Sequence, residues 1–233
     1  MLAFIGNSHL RQFNLYQDIV CIYEMGASIK GLVNPGSKLM LKNTINNFIN
    51  DNPNHSLIFF LGQVDIEFGY YYKCIVDNIK YDINIYYDDI IKKYESYLQT
   101  LTCNFYILSI NPTTITNTDH IFNVCFRSNN GKDGFYSEKN DNYTLNERVK
   151  EILNDSYQER FLNNKLFNDK LEFMCLKNNY KYIDFWEVVT NNNKVNEKYM
   201  PSDGDHHLKK VQDTFLLDYI LYKINGFKKL IPV

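Results

Sequence analysis

A serine near the amino terminus and two histidines near the carboxyl terminus are the residues best suited to nucleophilic chemistry. Ser8 follows a short apolar run, and Asp203, His206 and His207 stand together almost two hundred residues later. A serine hydroxyl is a weak nucleophile unless a nearby base, such as an imidazole, removes its proton. A carboxylate can orient that imidazole and stabilise its charged form. Asp203 and His206 stand three residues apart, so they are the candidate carboxylate and base for a serine at position 8.

These residues can meet only if the fold joins the two ends of the chain. An apolar run broken at Gly6 is typical of a buried strand that passes into a turn. Similar runs occur at residues 19–25, 56–62, 104–110 and 180–185. They alternate with segments of helical periodicity, which predicts a flavodoxin-like, three-layer α/β/α sandwich with about five parallel strands. Ligands of such sheets bind beyond the carboxyl ends of the strands.

The intervening segments predict helices and one irregular region. Helical spacing is found in residues 9–16, 37–50, 83–101, 145–177 and 208–223. Asn163 and Asn164 are a candidate break that would divide the fourth of these into two helices. Residues 113–143 lose all periodicity and predict an irregular insertion of the kind that often forms a lid. We expect one domain over residues 1–233.

Composition limits the classes of partner. The net charge is -2 and the pI is about 6.2, so there is no electrostatic reason to expect nucleic acid or an anionic membrane. Five widely spaced cysteines without a CxxC pair make a disulfide framework or a zinc site unexpected. Without a long apolar run or a signal peptide, the chain is expected to be soluble and cytoplasmic.

Four segments, in order along the whole chain, resemble the sequence blocks of the SGNH hydrolases, also called GDSL-like lipases and esterases. Residues 6–8 are similar to the first block, usually Gly-Asp-Ser, with Asn7 in place of aspartate. Residues 26–31 resemble the second block, and residues 62–65 lie where the third, usually Gly-x-Asn-Asp, belongs. Residues 203–206 resemble the fifth block, Asp-x-x-His.

The resemblance implies a role for each residue. Ser8 would be the nucleophile, His206 the general base, and Asp203 the carboxylate that orients the base. The backbone N–H groups of Ser8 and Gly26 would form part of the oxyanion hole. Gly62 would open the third block, and no metal or organic cofactor would be required.

The third block departs from the family pattern. Val64 stands where typical members have an asparagine that donates to the oxyanion, and loss of one such donor costs ~10² to 10³ in rate. Gln63 could replace that donor if the loop turns its side chain inward. Asp65 could lie near the substrate, or it could only cap the helix that follows.

The fifth block leaves two alternatives open. The spacing to Asp203 favours His206 as the base, whereas the His-Leu pair that often follows in such blocks would align His207. The neighbouring carboxylates and imidazole could instead bind a metal, although no further ligand is close in sequence. The other histidines, His9, His55 and His120, have no partner at a diagnostic spacing.

The resemblance implies a serine esterase that removes an O-acetyl or other short acyl group, most plausibly from a carbohydrate. The partner would then be a small-molecule or glycan ester, and the oligomeric state is left open. An O-acyltransferase would use the same triad, and a glycan-binding module without activity is the alternative from another class. Residues 68–72 are rich in aromatics, which could line a sugar site or pack under a helix.

Overall fold

The computed structural model of the protein describes residues 2–13, 19–126, 143–201, 206–209 and 215–225. The strands are β1 Leu2–Gly6, β2 Val20–Tyr23, β3 Ser56–Phe60, β4 Phe105–Leu108, β5 Lys181–Ile183, β6 Thr190–Asn191 and β7 Lys194–Val195. The α-helices are α1 Ile29–Val33, α2 Leu41–Asp51, α3 Tyr70–Asp77, α4 Ile83–Leu98, α5 Thr118–Phe126, α6 Glu147–Ile152, α7 Tyr157–Lys177, α8 Trp186–Val189 and α9 Phe215–Asn225. Ser8–Phe13 and Glu197–Tyr199 are 3₁₀ helices, and Asp65–Gly69 is a π-helical turn that leads into α3.

Five strands form one parallel sheet in the order β2-β1-β3-β4-β5. Gly6, the last residue of β1, pairs with Tyr23 of β2 and with Phe60 of β3. The first three strands therefore end side by side, and the segments that follow them start from the same edge. This confirms the predicted three-layer α/β/α fold with five parallel strands.

Alternate residues of the strands pack into two separate cores, one on each face of the sheet. In β1, Ala3 and Ile5 belong to one core and Phe4 to the other. In β3, Leu57 and Phe59 alternate in the same way with Ile58 and Phe60. Helices α2, α4 and α7 contribute to the first core, whereas α8 and α9 contribute to the second. Both faces are covered, as the uninterrupted apolar runs require.

Two helix predictions are wrong in detail. The region predicted to be an irregular insertion contains α5, while residues 127–142 lie outside the described part of the chain. The break between α6 and α7 falls before Ser156, whose side chain forms a capping box with Glu159. Asn164, the candidate break, is buried in the middle of α7 and donates hydrogen bonds to tertiary partners.

The aromatic segment at residues 68–72 serves mainly for packing. Phe68, Tyr70 and Tyr71 are buried in the first core. Tyr72 is partly buried and stacks on Phe126 of α5, with ring centroids 5.3 Å apart. These rings therefore hold α3 and α5 against the sheet. Of the two alternatives from the sequence, their burial favours packing over a sugar site.

No helix among the described residues combines the length and apolar character needed to cross a lipid bilayer.

Candidate active site

The turn that follows β1 places Ser8 at the carboxyl edge of the sheet. Asn7 closes this turn, because its side-chain Oδ1 accepts the backbone N–H of His9 at 3.0 Å and its carbonyl accepts that of Leu10, also at 3.0 Å. Leu10 and Phe13 bury themselves in the second core and fix the 3₁₀ helix that Ser8 begins. The Ser8 side chain is consequently held in a defined, largely buried position.

His207 is the imidazole that meets Ser8. Its Nε2 lies 2.7 Å from Ser8 Oγ, across 199 residues of sequence. The short segment that carries it is anchored by Leu208, which is buried in the second core, and by Lys209, whose N–H donates to Tyr199 O at 2.7 Å. The alignment on the His-Leu pair, rather than the spacing to the aspartate, indicates the histidine that contacts Ser8.

His206 therefore does not occupy the position expected of it. Its Nδ1 lies 3.2 Å from His120 Nε2, and its ring packs edge-on against Phe68 at 5.0 Å between centroids. His207, and not His206, is therefore the imidazole in hydrogen-bonding contact with Ser8. Asp203, the predicted third member of the triad, lies outside the described residues.

Four of the five histidines of the chain lie together beside Ser8. The ring centroids of His206 and His207 are 4.0 Å apart, and that of His9 is 4.5 Å from His207. His120 is 5.3 Å from His206. Sequence reasoning assigned no role to His9 and His120, because one looked like a helix-start residue and the other lay in the aperiodic region. The position of His9 directly after Ser8 was the signal available.

His9 is enclosed, and its two ring nitrogens differ. Nδ1 lies 3.1 Å from Asn111 Nδ2, whereas Nε2 is buried and has no hydrogen-bond partner in the described part of the chain. Burial is the main cause that holds the pKa of His9 well below its ordinary range, and the charges of the neighbouring His207 and His206 lower the pKa further. The lowered pKa favours the neutral form of the His9 ring, and its Nε2 is the nitrogen that no other described residue engages.

The side-chain amide of Gln63, in the segment that follows β3, does not turn toward Ser8. Gln63 Oε1 accepts the N–H of Asn111 at 2.8 Å, and Gln63 Nε2 donates to the carbonyl of the same residue at 3.3 Å. The Gln63 amide thus braces the backbone after β4, and it cannot also replace the missing oxyanion donor. Val64 is buried, and its side chain cannot donate.

Asp65 joins the third block to the second. Its carboxylate accepts the N–H groups of Ile29 at 2.7 Å and Lys30 at 3.1 Å, which are the first two residues of α1. Burial raises the pKa of Asp65 to about 6, and these two hydrogen bonds offset part of that effect. Asp65 is therefore a positioning residue that caps α1. It does not cap the helix that follows it, and its two carboxylate oxygens are engaged by α1 and not by a substrate.

A second buried carboxyl group lies beneath the site. Glu67 Oε1 accepts a hydrogen bond from the Asn164 amide at 3.3 Å, while Oε2 has no hydrogen-bond partner within the described ranges of the chain. Burial raises the pKa of Glu67 to about 7, and the Gln63, Thr113 and Asn164 side chains and the Arg160 charge offset part of the effect. Asn164 also donates to the Asn111 carbonyl at 3.0 Å, so Glu67 belongs to the same buried network as His9.

The loop that follows β2 lies next to the Ser8 turn. Glu24 donates its N–H to Gly6 O at 3.2 Å, and the Arg11 guanidinium contacts Met25 Sδ at 3.1 Å. Gly26 has φ of 77°, in the left-handed region that favours glycine. The second block therefore reaches the edge of the sheet where Ser8 lies, as an oxyanion donor at Gly26 would require.

This fold, with a serine after the first strand and a histidine before the last helix, is the fold of the SGNH, or GDSL-like, hydrolases. A GDSL-like lipase from Bacteroides thetaiotaomicron superposes with a TM-score of 0.51 and 12% identity, over 96% of this chain and 84% of its own. An acetyl xylan esterase superposes with a TM-score of 0.51 and 13% identity, over 96% of this chain and 100% of its own. A protein from Slackia heliotrinireducens provisionally classed as an SGNH hydrolase gives a TM-score of 0.54 and 8% identity, over 96% and 98%. The sequence matches no family model and no curated protein.

Proposed function

We propose that this protein is a serine esterase of the SGNH type, which removes an O-acetyl or other short acyl group from a carbohydrate. The observation that carries the proposal is the 2.7 Å contact between Ser8 Oγ and His207 Nε2. This distance is within the range at which a base takes a hydroxyl proton. The two residues lie at the carboxyl edge of a parallel sheet, where this class of fold binds its ligands.

In the proposed reaction, His207 Nε2 takes the Ser8 proton while Oγ attacks the ester carbonyl carbon. The tetrahedral oxyanion collapses, the C–O bond to the sugar breaks, and the leaving oxygen receives the proton from His207. Water then gives a proton to His207 and attacks the acyl-serine, which releases the carboxylic acid and returns the proton to Ser8. Asp203 is the proposed carboxylate that orients the His207 ring.

The oxyanion is proposed to lie against the backbone N–H groups of Ser8 and Gly26. The third donor of typical family members is missing at Val64, and Gln63 is engaged by the backbone of Asn111. We therefore expect slower turnover than in an enzyme with three donors, by ~10² to 10³ in rate. Turnover that is slow but abolished by loss of Ser8 would fit this arrangement.

The choice of a carbohydrate ester is supported by the family resemblance and by the acetyl xylan esterase among the structural neighbours. Transfer of the acyl group to a second hydroxyl uses the same steps with a sugar in place of water. Acetylated oligosaccharides, offered with and without an acceptor sugar, separate these two outcomes by the product formed.

The test is hydrolysis of p-nitrophenyl acetate and labelling by a fluorophosphonate. Ser8→Ala should abolish labelling, and His207→Ala should lower kcat by roughly 10⁴ or more, since loss of a triad base has effects of this size. His206→Ala should cost much less than His207→Ala, and His55→Ala, far from Ser8 in the fold, should leave the rate unchanged. A rate that Ser8→Ala leaves intact would overturn the proposal.

The identity of the orienting carboxylate is tested separately. Asp203→Asn should lower kcat strongly, whereas Asp205→Asn should have a small effect. The reverse order would move the proposed role from Asp203 to Asp205 without affecting Ser8.

A glycan-binding module without catalysis is the second candidate. The observation that favours it is the absence of a side-chain donor from residues 63 and 64, since Gln63 is occupied and Val64 is apolar. Binding of an acetylated glycan without turnover, together with no fluorophosphonate labelling, would support this candidate against the esterase.

A further inference from the structure

We propose that His9, His206 and His207 form a binding site for a divalent transition-metal ion of the zinc class. One ring nitrogen of each residue can be chosen so that all three lie within 4.8 Å of one another. Metal binding by these three histidines is not part of the proposed esterase reaction. The binding claim therefore stands independently of that reaction.

The spacing of the three ring nitrogens is close to that of nitrogens around a bound ion. With Zn–N bonds of about 2.0 to 2.1 Å, tetrahedral ligand nitrogens are about 3.3 Å apart. The three nitrogens would have to close by at most about 1.5 Å. His206 and His207 are consecutive in the chain and only partly buried, so rotation of their side chains can provide this movement.

His9 supplies the observation that points to a ligand. Its Nε2 is buried and has no hydrogen-bond partner among the residues that the structure describes, which is costly for a polar atom. Imidazole binds metal through a nitrogen lone pair and donates its other N–H to a neighbouring oxygen. Asn111 Oδ1 is also buried without a hydrogen-bond partner among these described residues, and the Asn111 amide lies beside His9 Nδ1. A half-turn of this amide would let Oδ1 accept the Nδ1–H and leave the Nε2 lone pair for the ion.

Neutral imidazoles are ligands for Zn²⁺, Cu²⁺, Ni²⁺ and Fe²⁺, and they bind Mg²⁺ and Ca²⁺ poorly. Three histidines leave one coordination position open in a tetrahedral site. Ser8 Oγ or a water molecule can fill that position, since Ser8 is in direct contact with His207.

Occupation of the site has a consequence for catalysis, and this part rests on the proposed function. An ion that draws His207 toward His9 and His206 competes with Ser8 for the same imidazole. Bound metal should therefore inhibit the esterase reversibly, and a chelator should restore the rate.

The experiment uses the full chain without a histidine tag, freed of metal with a chelator and titrated with Zn²⁺ by calorimetry. A parallel titration with Co²⁺ is followed by visible absorption, which reports the coordination of the ion directly. The expected result is one equivalent of either ion, with the absorption of a four-coordinate Co²⁺ site. Absence of saturable binding to the wild-type protein would overturn the proposal.

Variants identify the ligands. His9→Ala and His206→Ala should each weaken Zn²⁺ binding by about 100-fold or more, and Asn111→Ala by about 10-fold, as losses around metal sites typically do. His206→Ala changes a partly buried side chain and keeps the test available if His9→Ala fails to fold. His55→Ala is the matched control and should bind as the wild type does. Equal binding by His9→Ala, His206→Ala and the wild type would overturn the site.

Ser8→Ala separates this proposal from the proposed function. It should bind Zn²⁺ and Co²⁺ as well as the wild type does, although it has no serine chemistry. If the wild-type protein binds metal but has no esterase activity, the result supports the site and counts against the esterase. Esterase activity in a protein that binds no metal would do the opposite.

Discussion

Replacement of Glu67 with glutamine should remove a pH-dependent loss of stability from this protein. Burial raises the pKa of Glu67 from its ordinary value of 4.5 to about 7 in the folded state. One pKa unit corresponds to about 1.4 kcal/mol, so the difference corresponds to about 3 kcal/mol of folding free energy. The folded chain binds this proton more tightly than the unfolded chain does. The stabilisation is therefore complete below about pH 4.5 and is lost as the pH rises to about 7.

Glutamine is the appropriate replacement because it resembles the protonated acid. Asn164 donates to Oε1 of Glu67, and an amide oxygen at that place can accept the same hydrogen bond. The groups around this carboxyl are the side chains of Gln63 and Thr113 and the Arg160 guanidinium. The guanidinium is itself buried and donates to Ile115 O at 2.9 Å, which limits how much it can favour the ionised form.

The assay is urea unfolding of the wild type and of Glu67→Gln at several values between about pH 5 and pH 8. The difference in free energy of unfolding should shift in favour of the variant by about 2.5 kcal/mol across this range, because part of the stabilisation is already lost at pH 5. Asp65, whose pKa is raised to about 6, also lowers the free energy of unfolding as the pH rises. Its effect is the same in both proteins, so it cancels in the difference between them. Glu187→Gln, at an exposed position of α8, is the control. A difference that does not change with pH would refute the reasoning.

Three further predictions concern the segments that frame the site. Gly62→Ala should lower the free energy of unfolding by about 2 to 4 kcal/mol, because its φ is 113° and a Cβ would lie 2.6 Å from Phe167. Gly36→Ala, in open surroundings, is the control for the same urea measurement. Asp65→Ala should cost about 2 kcal/mol by leaving the first two N–H groups of α1 without their acceptor, whereas Asp89→Ala, exposed on α4, should not. Gln63→Ala should lower kcat by less than about tenfold, since it braces Asn111, and a loss of 10² or more would instead mark it as an oxyanion donor.

The sheet could be predicted from the sequence because its strands are buried on both faces. Each strand is a short apolar run bounded by glycine, asparagine or proline, and such runs have few alternative interpretations. The five predicted strands differ from β1 to β5 only at their ends, whereas the short hairpin of β6 and β7 was not predicted. β2, for example, was expected at residues 19–25 and spans Val20–Tyr23. The parallel order then places the segments after β1, β2 and β3 at one edge without further information.

The helices could not be delimited equally well, because tertiary contacts decide their limits. Asn164 and Asn168 look like loop residues in the sequence, yet both are buried on α7. Asn168 exchanges two hydrogen bonds with the backbone of Ile110, at 2.7 and 3.1 Å. These partners come from the segment that follows β4, so no local pattern announces them. The same argument applies to α5, a short helix whose apolar face is recognisable only against Phe68 and Tyr72.

The choice between His206 and His207 shows why a spacing rule can fail by a single residue. The rule measures sequence distance to a carboxylate, whereas the orientation of a ring in an irregular segment is fixed by what anchors that segment. Here the anchor is Leu208, buried in the second core, with the Lys209 N–H on the Tyr199 carbonyl. Burial of Leu208 sets His207 against Ser8 and leaves His206 facing His120. In this chain, the apolar residue that follows the histidine is therefore a better guide to which imidazole contacts Ser8 than the spacing to the aspartate that precedes it.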